Sequence, residues 1–259
     1  MPPGRSVGPT DDVASPATGM LHDLVELLAD RSSRVARPYI VGLTGSVAAG
    51  KTALADELAA AFAERDTPLV ATVVSTDGFL YPNSVLEPQG LIYHKGLPGT
   101  YDTRALVDFL RAVRAGEPVA VSVHSHDTYD IVAAGRVVEP GDVIIVEGLH
   151  LLGPHAALGE VAVNSLLDDC IYLDADREDL EAWFVERFMR MRGAAFGDPT
   201  SFYATFAALD TEAATAAARF VWSDINAVNL TEHIEPGRAQ ATIVVAKASD
   251  HSITAITVR

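Results

Sequence analysis

The feature of this sequence that most constrains its fold is a glycine-rich segment at residues 45–52. The segment is Gly45-Ser46-Val47-Ala48-Ala49-Gly50-Lys51-Thr52, and it fills every fixed position of the pattern G-x-x-x-x-G-K-S/T. The apolar run 39–43 before it predicts a buried strand, and residues 53–62 after it predict a helix. Because a loop between a strand and a helix N-terminus can surround an anion with backbone N–H groups, this context predicts a nucleotide phosphate site.

Two side chains of this loop are predicted to carry chemistry. The Lys51 ammonium is expected to reach the outer phosphates, and the Thr52 hydroxyl is expected to ligate the accompanying magnesium ion. Gly45 and Gly50 let the backbone approach the phosphates. A turn of small residues that matches by chance is the alternative, and the flanking strand and helix argue against it. Kinases, switch GTPases and motor ATPases all carry such a loop, so it predicts binding and not a particular reaction.

Apolar runs alternate with helical patterns along the rest of the chain. The predicted strands are residues 39–43, 69–74, 143–146, 170–173 and 241–246, with a further apolar run at 119–123. Nearly continuous hydrophobicity indicates strands covered on both faces. Leu106, Phe109, Leu110 and Val113 recur at helical spacing, with Gly116 as a stop. This alternation predicts an α/β fold with a doubly wound, mostly parallel sheet and a ligand beyond the carboxyl ends of its strands.

Charge and composition exclude several functional classes. The formal net charge of −16 argues against a nucleic-acid partner, which would need a positive surface. No apolar stretch approaches the roughly 20 residues that span a bilayer, so no membrane partner is expected. The only cysteine, Cys170, cannot form an intramolecular disulfide, which favours the cytoplasm. Residues 1–19 predict a disordered tail without the features of a signal peptide.

Polar residues that directly follow the apolar runs are the candidates for chemistry. Asp77 follows the second run beside Gly78 and is the candidate general base that accepts the proton of an attacking hydroxyl. Glu147 ends the run 143–146 and is predicted to address magnesium directly or through water. The alternatives are a turn or helix cap for Asp77 and a solvent-facing strand end for Glu147.

Two further segments carry candidate side chains. In the helical pattern 183–192, Arg187 and Arg190 share a face and would close over phosphates as a lid, although arginines near a helix end also complement its dipole. The segment His124-Ser125-His126-Asp127 lacks the further ligands of a transition-metal site. Hydrogen bonding to a substrate is the favoured role of its histidines, and a structural role is the alternative.

With these residues in place, the chain resembles the type I (bacterial) pantothenate kinases, a branch of the P-loop kinases that also includes uridine kinase and phosphoribulokinase. The similarity extends from about Tyr39 to the C-terminus. Besides the phosphate loop, it includes residues 76–83, 95–98 with Tyr101-Asp102, Ser125-His126 with Tyr129-Asp130, 147–149, Arg187-Phe188, Ala195-Phe196 with Asp198-Pro199, Ile225-Asn226 with Asn229-Leu230, and Lys247 with His251.

The resemblance implies a single kinase-like P-loop nucleoside-triphosphate hydrolase domain over 20–259, with a helical lid and acceptor region around 177–230. It implies ATP and Mg2+ as cofactors, Lys51, Asp77 and Arg187 as catalytic residues, and Lys247 and His251 beside the adenine. The implied substrate-binding residues are Lys95, Tyr101, His124, His126, Tyr129, Phe184 and Asn226. The implied reaction moves the γ-phosphoryl group of ATP to the primary hydroxyl of pantothenate, in a protein that is a homodimer by the same resemblance.

Four departures from the family pattern bear on this expectation. The acceptor-site tyrosines of the family are replaced by Phe184 and His124, and Met191 replaces an aromatic residue of the acceptor pocket. A lost phenol costs a polar substrate roughly 1–3 kcal/mol, so another alcohol such as a nucleoside or sugar is the alternative acceptor. Asp56 replaces an arginine that binds the feedback inhibitor coenzyme A, which predicts weak inhibition. A non-catalytic nucleotide sensor is a third possibility that the intact catalytic set argues against.

Overall fold

The structure, a computed structural model, describes residues 16–35, 38–125, 127–153, 155–195 and 203–259. Its strands are β1 (Tyr39–Gly45), β2 (Ala71–Ser75), β3 (Val119–Ser125), β4 (Asp130–Val138), β5 (Val143–Glu147), β6 (Ala157–Leu158), β7 (Val161–Ala162), β8 (Asp169–Asp174), β9 (Ile243–Lys247) and β10 (Ile253–Val258). Its α-helices are α1 (Pro16–Ser32), α2 (Lys51–Ala63), α3 (Asn83–Leu86), α4 (Thr103–Arg114), α5 (Arg177–Ala194), α6 (Ala204–Ala207), α7 (Thr211–Val221) and α8 (Ala227–Asn229). Two π-helical turns, Trp222–Asn226 and Leu230–Ile234, flank α8.

A six-stranded sheet in the order β10-β9-β8-β1-β5-β2 forms the centre of the fold. Its pairs are parallel except that of the edge strand β10 with β9. Every residue of β1 and β5 is buried, as their continuous hydrophobicity predicts. The predicted α/β fold with a mostly parallel sheet is confirmed, and each predicted boundary of these strands lies within two residues of the observed one.

Helix α4 illustrates how local sequence sets an element. The Asp102 side chain caps its first turn by accepting a hydrogen bond from the Ala105 N–H at 2.9 Å. The apolar positions predicted to face the core, Leu106, Phe109, Leu110 and Val113, are all buried. Just past its C-terminal end, Gly116 adopts a φ of 78°, the left-handed conformation that suits glycine after a helix.

Residues 119–123 differ from the expectation that they belong to the parallel sheet. They lie in β3, which pairs antiparallel with β4 in a separate two-stranded hairpin. His124 is therefore a strand residue of this hairpin, and its place near the other candidates comes from packing of the hairpin against the segment after β2. An apolar run of this length has the same composition in either setting, so the sequence does not distinguish them.

The N-terminal segment is more ordered than expected over part of its length. Helix α1 begins at Pro16, so residues 16–19 of the predicted tail are helical, and residues 1–15 lie outside the described ranges. Within those ranges, none of the helices has the length and apolar character needed to cross a membrane.

A buried carboxylate ties α1 to the sheet at the edge opposite the strand carboxyl ends. Asp169 accepts hydrogen bonds from the hydroxyls of Tyr39 and Thr242, both at 2.6 Å, and forms an ion pair with Arg31. Burial and the adjacent Asp169 raise the pKa of Tyr39, which keeps its phenol a hydrogen-bond donor. The carboxylate therefore joins α1, β1, β8 and the segment before β9.

Replacing Asp169 with Asn is expected to lower the free energy of unfolding by about 2 kcal/mol, because the Arg31 guanidinium and the hydroxyls of Tyr39 and Thr242 lose a charged acceptor. Chemical denaturation measures this change. Asp108→Asn is the control, since Asp108 is 61% exposed and lies 4.0 Å from Arg111, and it should cost less than about 0.5 kcal/mol. Equal losses in the two variants would contradict the structural role of Asp169.

Candidate active site

The phosphate loop joins the buried strand β1 to α2 through a strained backbone. Gly45, Ala48 and Gly50 have φ values of 145°, 63° and 87°. A Cβ atom at Gly45 would lie 2.5 Å from the Leu173 carbonyl oxygen, so only glycine fits there. These dihedral angles turn the chain so that the N-terminus of α2 faces an open cavity, which is the geometry of an anion site.

Lys51 is the first residue of α2 and lies inside this loop. Its ammonium donates a hydrogen bond to the Ser46 carbonyl oxygen at 2.7 Å. Burial lowers the pKa of Lys51 to about 8, although the carboxylates of Glu147 and Asp77 favour its charged form. An ammonium buried in this way is largely shielded from water, and phosphate oxygens would supply acceptors for it.

The register of the parallel strands places the carboxylate of Glu147 beside the phosphate loop. Glu147 is paired with Leu43 of β1 and with Ser75 of β2, so three strand ends meet at one edge. The Thr52 hydroxyl donates to Glu147 Oε1 at 3.3 Å. The hydroxyl and the carboxylate predicted to address magnesium are therefore adjacent.

Asp77 lies in a 3-10 turn, Thr76–Phe79, directly after β2. Its backbone N–H donates to the Ser75 hydroxyl oxygen at 3.3 Å, and its Oδ1 accepts a hydrogen bond from the Tyr101 hydroxyl at 3.3 Å. Neighbouring Gly148 admits this turn, since a Cβ atom there would overlap the Thr76 hydroxyl at 1.7 Å. The turn thus holds Asp77 against the end of β5.

Two cavities meet at Asp77 and Arg187. The first, of about 520 Å³, is lined by the phosphate loop, Thr52, Glu147, Trp183, Arg190, Lys247 and His251. The second, of about 190 Å³, is lined mainly by aromatic and aliphatic side chains. Asp77 and Arg187 line both cavities. A group bound in one cavity can therefore contact a group bound in the other, and the Asp77 carboxylate and the Arg187 guanidinium lie at the point of contact.

One wall of the larger cavity includes two stacked aromatic rings. The rings of Trp183 and His251 stack with centroids 4.0 Å apart, and the indole N–H donates to the Ser249 carbonyl oxygen at 3.1 Å. Lys247 lies 5.6 Å from the centre of the Trp183 ring, and its ammonium also donates to the Ala49 carbonyl oxygen of the phosphate loop at 3.2 Å. Lys247 and His251, predicted beside the adenine, are thereby brought to one wall.

Sequence reasoning missed Trp183 as a site residue. It lies in a helical pattern where an aromatic side chain is typical of the core, and it is indeed buried. Only the packing of α5 against the turn between β9 and β10 places its ring beside His251.

The smaller cavity gathers the described residues of the predicted substrate-binding set, which are Lys95, Tyr101, His124, Tyr129, Phe184 and Asn226. His126, the remaining member of that set, lies outside the described residues. The cavity also includes Phe188, Met191, Tyr203, Phe206 and Ile225, which the sequence did not single out as substrate contacts apart from Met191. These roles stay predictions.

Lys95, which the sequence predicts as a substrate contact, also makes contacts within the protein that the sequence did not predict. Its ammonium donates to the Tyr129 carbonyl oxygen, lies 4.8 Å from the centre of the Tyr129 ring and is 4.0 Å from an Asp130 oxygen. Burial lowers the pKa of Lys95, and Asp130 and Asp77 oppose that effect. Lys95 therefore fastens the β3–β4 hairpin over the cavity.

The three arginines in the C-terminal half of α5 occupy different settings. Arg187 lines both cavities, whereas Arg190 lines the larger one and lies 3.9 Å from the exposed Glu186. Arg192 donates to the carbonyl oxygens of Phe206 in α6 and of Leu209 just after it, and so joins α5 to this part of the chain.

Comparison with known proteins agrees with this architecture. The phosphoribulokinase / uridine kinase family model matches residues 40–213. The pantothenate kinase of Sorangium cellulosum is 45% identical over 86% of this chain and 73% of its own length. The pantothenate kinase of Clavibacter sepedonicus is 41% identical over 93% of this chain and 76% of its own length, and that of Vibrio cholerae is 38% identical over 93% and 77%.

Solved structures show the same fold. A candidate fructose transport system kinase from Silicibacter sp. TM1040 is 29% identical, covers 86% of this chain and 98% of its own, and has a TM-score of 0.69. The YGR205w protein is 13% identical, covers 94% and 98% of the two chains, and has a TM-score of 0.64, which shows the fold alone.

The fold and its phosphate loop define a P-loop kinase. The chain belongs to the phosphoribulokinase / uridine kinase family and, within it, to the pantothenate kinases. The resemblance inferred from sequence is thereby confirmed, and so is the class of enzyme, an ATP-dependent phosphotransferase with an alcohol group as acceptor.

Nucleotide binding is expected to depend on pH through Lys51. The pKa of its ammonium is about 8 in the free protein, and contact with phosphates would raise it, so affinity for ATP falls as pH rises through that value and binding takes up a proton. Calorimetry in buffers of different ionisation enthalpy, on both sides of about pH 8, measures this uptake. Lys51→Met should abolish the proton uptake. An affinity for ATP that stays constant across this pH range would contradict the prediction.

Proposed function

We propose that the protein transfers the γ-phosphoryl group of ATP to the primary hydroxyl of pantothenate and forms 4'-phosphopantothenate. The observation that carries this proposal is the meeting of two cavities at Asp77 and Arg187. The larger cavity begins at the phosphate loop and would hold ATP. The smaller one would hold the acceptor, and relatives named pantothenate kinase at 38–45% identity favour pantothenate there.

Each group at the junction has a distinct role in this proposal. Asp77 accepts the proton of the attacking hydroxyl and keeps that oxygen aligned with the phosphorus. Arg187 stabilises the charge of the phosphoryl group in transit, and Lys51 holds the outer phosphates. Apart from this proton transfer, catalysis here consists of positioning and charge stabilisation, which the charged groups that line the larger cavity suit.

Thr52 and Glu147 would hold the Mg2+ that accompanies ATP. Their oxygens lie 3.3 Å apart, and hydroxyl and carboxylate oxygens are the donors that this hard cation prefers. Among the described residues, no group of three or more His, Cys, Asp or Glu side chains could hold a metal by itself. Phosphate oxygens and water would therefore complete the coordination, and the ion would neutralise phosphate charge.

The polar groups of the smaller cavity suit a hydroxylated amide such as pantothenate. Tyr129 and Asn226 offer hydrogen bonds, and Tyr203 adds a phenol from a segment beyond α5. The Tyr203 phenol interacts electrostatically with both Tyr129 and Arg187. We infer that it supplies the polar contact that Phe184 lacks.

A different alcohol is the second candidate acceptor. Phe184, His124 and Met191 all line the smaller cavity at positions where the family pattern differs. The 29% identity with a candidate fructose transport system kinase makes a sugar the specific rival. A cytoplasmic location, which the single cysteine favours, is a further proposal. A homodimer is another, and it rests on the family resemblance alone.

The test is release of ADP from ATP and Mg2+ with pantothenate, beside a panel of sugars and nucleosides. Turnover on pantothenate is expected, and Asp77→Asn should reduce kcat by about a hundredfold or more because the base is removed. Silence on pantothenate with turnover on another alcohol would overturn the substrate assignment. Near-normal kcat in Asp77→Asn would overturn the base assignment.

Coenzyme A is expected to inhibit weakly, because Asp56 is an exposed carboxylate next to Glu57, which lines the larger cavity, and both repel phosphates. Asp56→Arg should lower the half-inhibitory concentration about tenfold by restoring a cation. Glu64→Arg makes the same charge change at the exposed C-terminal end of α2 and should leave inhibition unaltered. Micromolar inhibition of the unmodified protein would contradict the prediction.

A further inference from the structure

The segment that carries Asp77 is joined through its backbone to the loop that carries Tyr101. Leu80 and Tyr101 form an isolated antiparallel bridge. Two hydrogen bonds extend it, from Tyr81 N to Thr100 O at 2.9 Å and from Asp102 N to Phe79 O at 2.7 Å. The two segments therefore form one locally rigid unit, although they are far apart in sequence.

The Tyr101 side chain uses this unit to reach the carboxylate. Its hydroxyl donates to Asp77 Oδ1 at 3.3 Å, and its ring is buried. Burial and the nearby Asp77 charge raise the pKa of Tyr101 well above its usual value, so the phenol stays protonated and remains a donor at any working pH. With Oδ1 occupied by this hydrogen bond, Oδ2 remains for the substrate proton.

The loop behind Tyr101 is held from two sides. The Gly96 carbonyl oxygen accepts a hydrogen bond from Asn229 Nδ2 at 2.8 Å and another from His150 Nε2 at 2.6 Å. Burial lowers the pKa of His150 to about 4, so its imidazole is neutral at pH 7 and its Nε2 carries the donated hydrogen. The His150 ring also packs edge-on against Tyr101, with centroids 5.5 Å apart.

We propose that Tyr101 is a positioning residue that orients the carboxylate of Asp77 for proton abstraction. This inference rests on the base role proposed for Asp77, and it assigns to Tyr101 a task other than the substrate contact implied by the family resemblance. A hydroxyl that contacts an acceptor contributes to binding, whereas one that orients the base contributes to the chemical step. The two roles therefore have different kinetic consequences.

Tyr101→Phe keeps the ring and the backbone bridge and removes only the hydroxyl. We expect kcat to fall about ten- to a hundredfold, because a hydrogen bond to a charged group is lost, while KM for ATP and for the acceptor changes less than about twofold. A raised acceptor KM with unchanged kcat would overturn the proposal in favour of direct substrate binding. Unchanged kcat and KM would also overturn it.

Tyr39→Phe is the matched control, since it removes another buried phenol that donates to a carboxylate, here Asp169 at 2.6 Å on the opposite edge of the sheet. It is expected to lower thermal stability and to leave kcat and KM unchanged. A fall in kcat in Tyr39→Phe comparable to that in Tyr101→Phe would show that the loss reflects stability, and it would overturn the proposal.

A double-mutant cycle tests whether Tyr101 acts through Asp77. If it does, Tyr101→Phe added to Asp77→Asn should cause no further loss of residual turnover, whereas multiplicative losses would indicate an independent role. The assays use whichever acceptor supports turnover by the unmodified protein. Failure on pantothenate would then count against the proposed substrate, and the kcat and KM pattern alone would decide the role of Tyr101.

Discussion

The parallel pairing of β1 with β5 and of β5 with β2 is the constraint on which the site depends. This register sets Leu43 and Ser75 opposite Glu147. The phosphate loop, the acidic end of β5 and the turn that carries Asp77 therefore begin at one edge of the sheet. A one-residue slip would turn the side chain of Glu147 to the other face of the sheet.

Burial determines how the charged groups at this edge of the sheet behave. Lys51 is surrounded by protein, and its lowered pKa shows that its charge is costly until an anion arrives. The junction of the two cavities confines a carboxylate and a guanidinium between a polar compartment and a largely apolar one. Aromatic side chains of α5 and of the segments after it line the second compartment. An acceptor bound there would displace water, which favours transfer to an alcohol over hydrolysis.

The polar interactions outside the junction support it in different ways. Lys95 fastens the β3–β4 hairpin through the Tyr129 carbonyl, and Asn229 and His150 hold the Gly96 carbonyl of the same loop. Asp169 joins α1 to the opposite edge of the sheet. Each of these groups is buried or nearly so and makes the hydrogen bond or ion pair named here, and such an interaction of a polar group in a core is a source of rigidity.

The sequence by itself determined the phosphate loop, the central strands, the carboxylates at their ends and the family, because glycine positions, β-branched runs and helix caps act over a few residues. It did not determine that residues 119–125 form a hairpin outside the main sheet, since a short apolar run predicts a strand without saying which sheet it joins. Nor did it reveal the Trp183–His251 stack or the hydrogen bond from Tyr101 to Asp77, because these join residues far apart in the chain. Tertiary structure decided them, since only packing brings such side chains within a few ångströms of each other.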